Sequence, residues 1–198
     1  MNEVHLDANP RTRDDAIDAT RCAVVLVDYQ ARLLPAIHAG NDAVRHACAL
    51  ADAARLLGVR VVGTEQNPAG LGPNVPAIAG RCDVTVVKRH FDACADGLAD
   101  ALDADGVRDQ VVIAGCETHV CLLQTALGLL RQGRRLFVVD AACGSRRPAD
   151  RLLALERLAA AGATRVAPEM VVFEWLRGHD HPRFREILAL VKAIDAGS

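Results

Sequence analysis

Six short apolar runs, most of them closed by a polar residue or glycine, recur along the chain and restrict its fold more than any other feature. They are Cys22–Val27 before Asp28, Val59–Gly63 before Thr64 and Glu65, Val84–Val87 before Lys88, Val111–Ala114 before Gly115, Leu136–Val139 before Asp140, and the shorter Thr164–Ala167. Runs that are apolar throughout, instead of at alternate positions, read as strands buried on both faces. Amphipathic stretches of helical length lie between them at about 41–57, 94–104, 119–132 and 148–161, and a last helix is expected from about Pro182 to Ile194. Gly58 and Gly133 stand where helices should end, and Pro148 stands where one should begin. Strands alternating with helices predict an α/β fold: a parallel sheet with helices on both faces.

The chain has 198 residues, 51% of them hydrophobic, which is enough for one sizeable core and too little for two ordinary ones. Residues 1–20 lack periodicity and read as an N-terminal arm, with a single domain over 21–198. A net charge of −2, with the basic residues scattered and aromatics at only 3%, disfavours nucleic acid as a partner. The apolar runs fall far short of the roughly 18 residues a membrane span needs, so no membrane partner is expected. The opening residues, MNEVHLDANP, do not resemble a secretory signal, which makes the cytoplasm the expected location. Seven cysteines without CxxC spacing argue against a disulfide framework. Lysine occurs only at 88 and 192, so each of the two merits attention.

In an open α/β sheet, ligands bind at the carboxyl ends of the strands, and these ends share one edge. Asp28, Lys88 and the segment Gly115–Cys121 are therefore expected to converge. Cys121 falls in the first turn of the helix LLQTALGLLRQ, where the helix dipole lowers a thiol's pKa, and it is the candidate nucleophile. Asp28 can accept its proton, and Lys88 can stabilise the charge that develops. Taken singly, each has a plainer reading: a packing cysteine, a helix-capping aspartate, a solvated lysine at a strand end. Gln30 and Leu33, one turn past Asp28, His90 and Phe91, just past Lys88, and Thr118 are candidate pocket residues by position. His119 reads as a structural or capping histidine, His179 and His181 as part of a solvated turn, and Phe173, Trp175 and Leu176 as core or subunit interface. The stretch Gln66–Gly80 is rich in proline and glycine and reads either as a pocket wall or lid, or as a surface crossing.

DYQARLLPAI, TEQNPAGLG, VVKRHFDAC and VVIAGCETHVCLLQTALGLLRQG, spread between about Cys22 and Arg177, resemble the isochorismatase-like cysteine hydrolases. The resemblance implies a three-layer α/β/α sandwich with a six-stranded, mostly parallel sheet, and a catalytic triad of Asp28, Lys88 and Cys121. It also implies a cis peptide between Cys116 and Glu117 that turns the Glu117 N–H inward, to form an oxyanion hole with the Cys121 N–H. Nicotinamidases of the family bind a metal through an Asp-x-His motif and a further histidine. Here the matching stretch is Thr64-Glu65-Gln66-Asn67-Pro68, so neither a metal nor a cofactor is expected. Isochorismatases proper lack the cysteine that this chain has at 121. What the resemblance leaves is a hydrolase of a C–N bond in a small amide, imide or carbamoyl compound, assembled as a homo-oligomer. The alternative is a non-catalytic oligomeric or interaction protein that keeps the fold. Nucleotide binding is disfavoured, because neither GxGxxG nor GxxxxGK[ST] follows a strand.

Overall fold

The computed structural model describes residues 16–195. Six strands, β1 (Cys22–Val27), β2 (Arg60–Gln66), β3 (Val84–Lys88), β4 (Gln110–Gly115), β5 (Arg135–Val139) and β6 (Thr164–Val166), form one sheet in the order β3-β2-β1-β4-β5-β6. Every pairing between these strands is parallel, so the expected "mostly parallel" sheet is wholly parallel. The helices are α1 (Gly40–Leu56), α2 (Pro68–Leu71), α3 (Pro76–Ala79), α4 (Leu98–Asp103), α5 (Leu123–Arg131), α6 (Pro148–Ala160), α7 (Pro168–Leu176) and α8 (Phe184–Asp195).

All six residues of β1 are buried, and alternate side chains serve two separate cores. Cys22, Val24 and Leu26 pack with α1, α7 and α8, through residues such as Ala47, Leu50, Trp175 and Ile187. Ala23, Val25 and Val27 pack with α4, α5 and α6, through Leu102, Leu129, Leu155 and Leu158. Each fully buried Val or Leu contributes roughly 1.5–3 kcal/mol by leaving water, so the continuous apolar runs are what hold helices on both faces.

Three elements differ from the sequence expectation. The 94–104 helix is divided into a 3-10 turn, Ala93–Asp96, and α4, because Gly97 sits between them in the left-handed region at φ 91°. Helix α7 is nearly all apolar and shows little helical periodicity; Pro168 in its first turn was its one start signal. Its Trp175 and Leu176 are core residues, whereas Phe173 is exposed. The expected arm lies outside the described residues as far as residue 15. The core reaches back beyond the boundary at 21: Ile17 is fully buried, and its N–H donates to Glu174 Oε2 at 2.6 Å.

Candidate active site

The strand order reverses direction between β1 and β4, the place where a doubly wound sheet opens a crevice beyond its strand ends. Asp28 leaves β1 there, and Cys121 follows β4. Asp28 takes a left-handed conformation, φ 53°, which aspartate tolerates better than most residues and which turns the chain sharply at the strand end. Its N–H donates to Thr64 O at 3.2 Å. On the other side, β2 and β3 stay in register to their last residues, so Gln66 is paired with Lys88. Thr64 and Gln66 are two apart on β2, and both side chains reach the same cluster.

That cluster is buried. Asp28 and Lys88 are both fully buried, with Lys88 Nζ 2.8 Å from Asp28 Oδ2. Nζ also donates to Gln66 Oε1 at 2.7 Å, and the Thr64 hydroxyl donates to Asp28 Oδ1 at 2.6 Å. The Lys88 ammonium is thus shared between the Asp28 carboxylate and the Gln66 amide oxygen. Cys121 Sγ lies 4.0 Å from Gln66 Oε1. Charge is thus neutralised by contact instead of by solvent, the condition under which a buried ion pair is tolerated.

Gly115, φ 153°, closes β4 against β1 so tightly that a Cβ there would lie 2.3 Å from Val27 O. One residue further on, the Cys116–Glu117 peptide bond is cis. The chain then runs through one wide π-type turn, Thr118–Leu122, that carries Cys121 and leads into α5. Thr118 is fully buried, and both its N–H and its hydroxyl bond to Gly144 O, which anchors the turn.

A pocket of about 320 Å³ opens above Asp28, Gln66 and Cys121. Leu33, Ala36, Leu71, Phe91 and Val120 form its apolar walls, and Glu117 and Arg146 supply its other charges. Lys88 lies beneath this surface and acts on it through Asp28 and Gln66.

Of the expected pocket residues, then, Leu33 and Phe91 line the cavity, and Gln30, His90 and Thr118 do not. Gln30 is buried, and its amide ties the Gln66–Gly80 segment to the chain after β1, bonding Gln66 O at 3.0 Å and Gly72 O at 2.6 Å. His90 turns outward to Asp96. The Gln66–Gly80 segment is a docked wall that places Leu71 in the pocket, with Arg32 N–H bonded to Leu71 O. His119 contacts Ser145 Oγ at 3.0 Å and stays out of the pocket. His181 accepts a hydrogen bond from the Arg183 N–H within its turn.

Sequence reasoning did not single out Thr64, Gln66, Leu71 or Arg146, although Gln66 and Leu71 lie in the stretch expected as a pocket wall or surface crossing. The polar alternation Thr64-x-Gln66 in an otherwise buried strand was the available signal for the first two. Leu71 and Arg146 become pocket residues only through the docking of their loops.

The expected low pKa of Cys121 is overturned. Burial pushes its thiol up to about 12, the Asp28 charge adds to that, and Lys88 opposes it. The helix dipole is outweighed because the thiol is only 7% exposed and faces a carboxylate.

Residues 22–168 match the family model of the isochorismatase domain. Isochorismatase domain-containing protein 2A of Mus musculus is 37% identical over 167 residues, 84% of this chain and 81% of that protein. Among solved structures, MAR1 ribonuclease from Caenorhabditis elegans superposes with a TM-score of 0.84 at 32% identity, covering 89% of this chain and 92% of that one. YcaC from Pseudomonas aeruginosa, solved with hexane-2,5-diol and covalent acrylamide, gives 0.82 at 29% identity, covering 94% and 99%. YcaC from Escherichia coli, described as an octameric hydrolase of unknown specificity, gives 0.79 at 25% identity, covering 94% and 99%.

Proposed function

The chain belongs to the isochorismatase-domain family, and from that premise we propose that it is a metal-independent cysteine hydrolase, cleaving the C–N bond of a small amide, imide or carbamoyl compound through a covalent Cys121 intermediate. The observation that carries this reading is the buried Asp28–Lys88 pair beside the Cys121 thiol at the floor of one small pocket.

Because burial keeps the thiol neutral, its proton leaves as the bond forms and not beforehand. Asp28, buried beside the thiol, takes that proton while Sγ attacks the carbonyl carbon. The oxyanion is received by the N–H groups of Glu117 and Cys121. Asp28 then passes the proton to the leaving nitrogen, the C–N bond breaks, and a thioester remains. Water, deprotonated by Asp28, attacks the thioester, the C–S bond breaks and the thiol is restored. Lys88 holds Asp28 in position between steps.

At roughly 30 Å³ for each water-sized group the pocket holds about ten such groups, which suits a small molecule with an apolar body. The ribonuclease name borne by the nematode structure is therefore not carried over. The covalent acrylamide of the Pseudomonas structure is an amide of suitable size. The octameric relative supports a homo-oligomer, and the seven free cysteines suit a reducing cytoplasm.

The test is a panel of small primary amides, imides and carbamoyl compounds scored by release of ammonia or amine, with wild type and Cys121→Ala side by side. Turnover by wild type and none by Cys121→Ala is expected, with an acyl adduct on the Cys121 peptide for slow substrates. Equal turnover by the two proteins ends this reading.

A further inference from the structure

We propose that Gln66 is a positioning residue of this site: its amide oxygen competes with the Cys121 sulfur for the Lys88 ammonium, and so sets how readily the thiol gives up its proton. The inference rests on the reading of Cys121 as nucleophile and adds the residue that tunes it. Gln66 is the last residue of β2, buried and paired in register with Lys88 at the end of β3. Each of its polar groups is engaged. The backbone N–H donates to Gln30 Oε1 at 2.9 Å, and the backbone carbonyl accepts from Gln30 Nε2 at 3.0 Å. In the side chain, Nε2 donates to Arg89 O at 2.9 Å and Oε1 accepts from Lys88 Nζ at 2.7 Å. A carbonyl can receive only the N–H end of an amide, so Arg89 O fixes which way the side chain faces and leaves its oxygen pointing at the ammonium.

An ammonium has three N–H groups to give. Asp28 Oδ2 holds this one at 2.8 Å and Gln66 Oε1 at 2.7 Å, so the neutral amide grips it as closely as the carboxylate does. Cys121 Sγ lies 4.0 Å from the same amide oxygen. Lys88 lowers the pKa of the thiol, whereas burial and Asp28 raise it. An N–H taken by Gln66 is therefore one that the sulfur does not receive. The other charges in the pocket, Glu117 and Arg146, are bonded to each other at 3.0 Å. His119 and His90 are bonded outside it, to Ser145 and Asp96. Because both ends of the Gln66 amide are committed within the protein, it acts through Lys88 and not on the substrate.

The test reads the thiol directly. Cys121 is alkylated by iodoacetamide between about pH 7 and pH 10 in wild type, Gln66→Met and Gln66→Glu, with rates read by peptide mass spectrometry and normalised to glutathione in the same tube. The Sγ–C bond forms, the C–I bond breaks, iodide leaves, and the thiol proton passes to Asp28 or to buffer base. Gln66→Met keeps nearly the same volume and removes the oxygen, which releases the ammonium to the sulfur. Its rate at about pH 8 should rise about tenfold, the effect of a thiol pKa lower by about one unit. Gln66→Glu sets a second carboxylate beside the ammonium and the sulfur, and its rate should fall about tenfold. Cys116, fully buried in the same segment, reports any loosening of the site, and its labelling should stay level in all three proteins. In a Lys88→Met background, Gln66→Met should bring no further rise, because the ammonium through which it acts is gone. Should that double variant fail to fold, the opposite signs of the two single variants carry the test. For an amide that wild type turns over, Gln66→Met should change kcat more than KM; a raised KM with kcat kept would make Gln66 a substrate contact and overturn the assignment. Equal Cys121 rates in wild type and Gln66→Met, or a rise matched at Cys116, would also overturn it and leave the nucleophile standing. No labelling of Cys121 in wild type overturns both readings.

Discussion

Replacing Lys88 by Met tests whether the ion pair at the centre of the site is what makes a buried Asp28 tenable. The side chain keeps nearly its length and loses its charge. At 2.8 Å, two unit charges attract by about 6 kcal/mol at an effective dielectric constant of about 20. In Lys88→Met that attraction is gone, and the Thr64 hydroxyl still donates to Asp28 Oδ1. Removing one member of a buried pair costs about 3–5 kcal/mol, because the other is left as an uncompensated charge. For a chain of this size that is roughly a 6–20 °C fall in Tm. Urea unfolding at fixed protein concentration is the assay, with Asp28→Asn and the double variant completing a cycle. The double variant should be less destabilised than the two single losses added, by at least about 2 kcal/mol. A Lys88→Met loss below about 1 kcal/mol, or strict additivity, would show that Asp28 does not depend on the ammonium and refute the electrostatic account of the site.

Three further outcomes follow from the same geometry. Because the Cys121 thiol is raised toward about 12, its alkylation should keep climbing with pH beyond the roughly 8.5 of a free thiol. In Asp28→Asn the pH midpoint should move down, since a charge that raises the thiol is removed, while amide turnover falls by about 10²–10⁴ with the base gone; an unmoved midpoint would contradict the assignment. Gly115→Ala should be poorly folded or lose more than about 2 kcal/mol, because its Cβ would meet Val27 O and Val27 Cβ at 2.3 and 2.5 Å; native stability by thermal melt would mean that β1 and β4 can separate at the site.

Much of the fold lay open in the residues. The run CAVVLV predicts a central strand, and β1 occupies its six positions and no others. The helix expected from Pro148 begins there. Such elements are legible because burial on both faces and a proline start are local properties of the chain. Helix α7 was not, because a helix apolar nearly all round carries no period. The split at Gly97 was not either, because a left-handed glycine ends one turn and starts the next without changing composition.

For the site, the residue types and the strand ends marked out Asp28, Lys88 and Cys121 before any geometry was known. Their convergence follows from topology alone, since parallel strands bring their carboxyl ends to one edge. Which neighbours complete the site depends on through-space packing. Gln66 joins Lys88 through strand register, and Leu71 and Arg146 arrive on loops whose placement rests on contacts far away in sequence. The same holds for the state of the thiol. The sequence places Cys121 at a helix start, where the dipole favours the thiolate, but its protonation depends on how much water and how much opposing charge surround it. Those two quantities exist only once Asp28 and the walls of the pocket have closed around the sulfur.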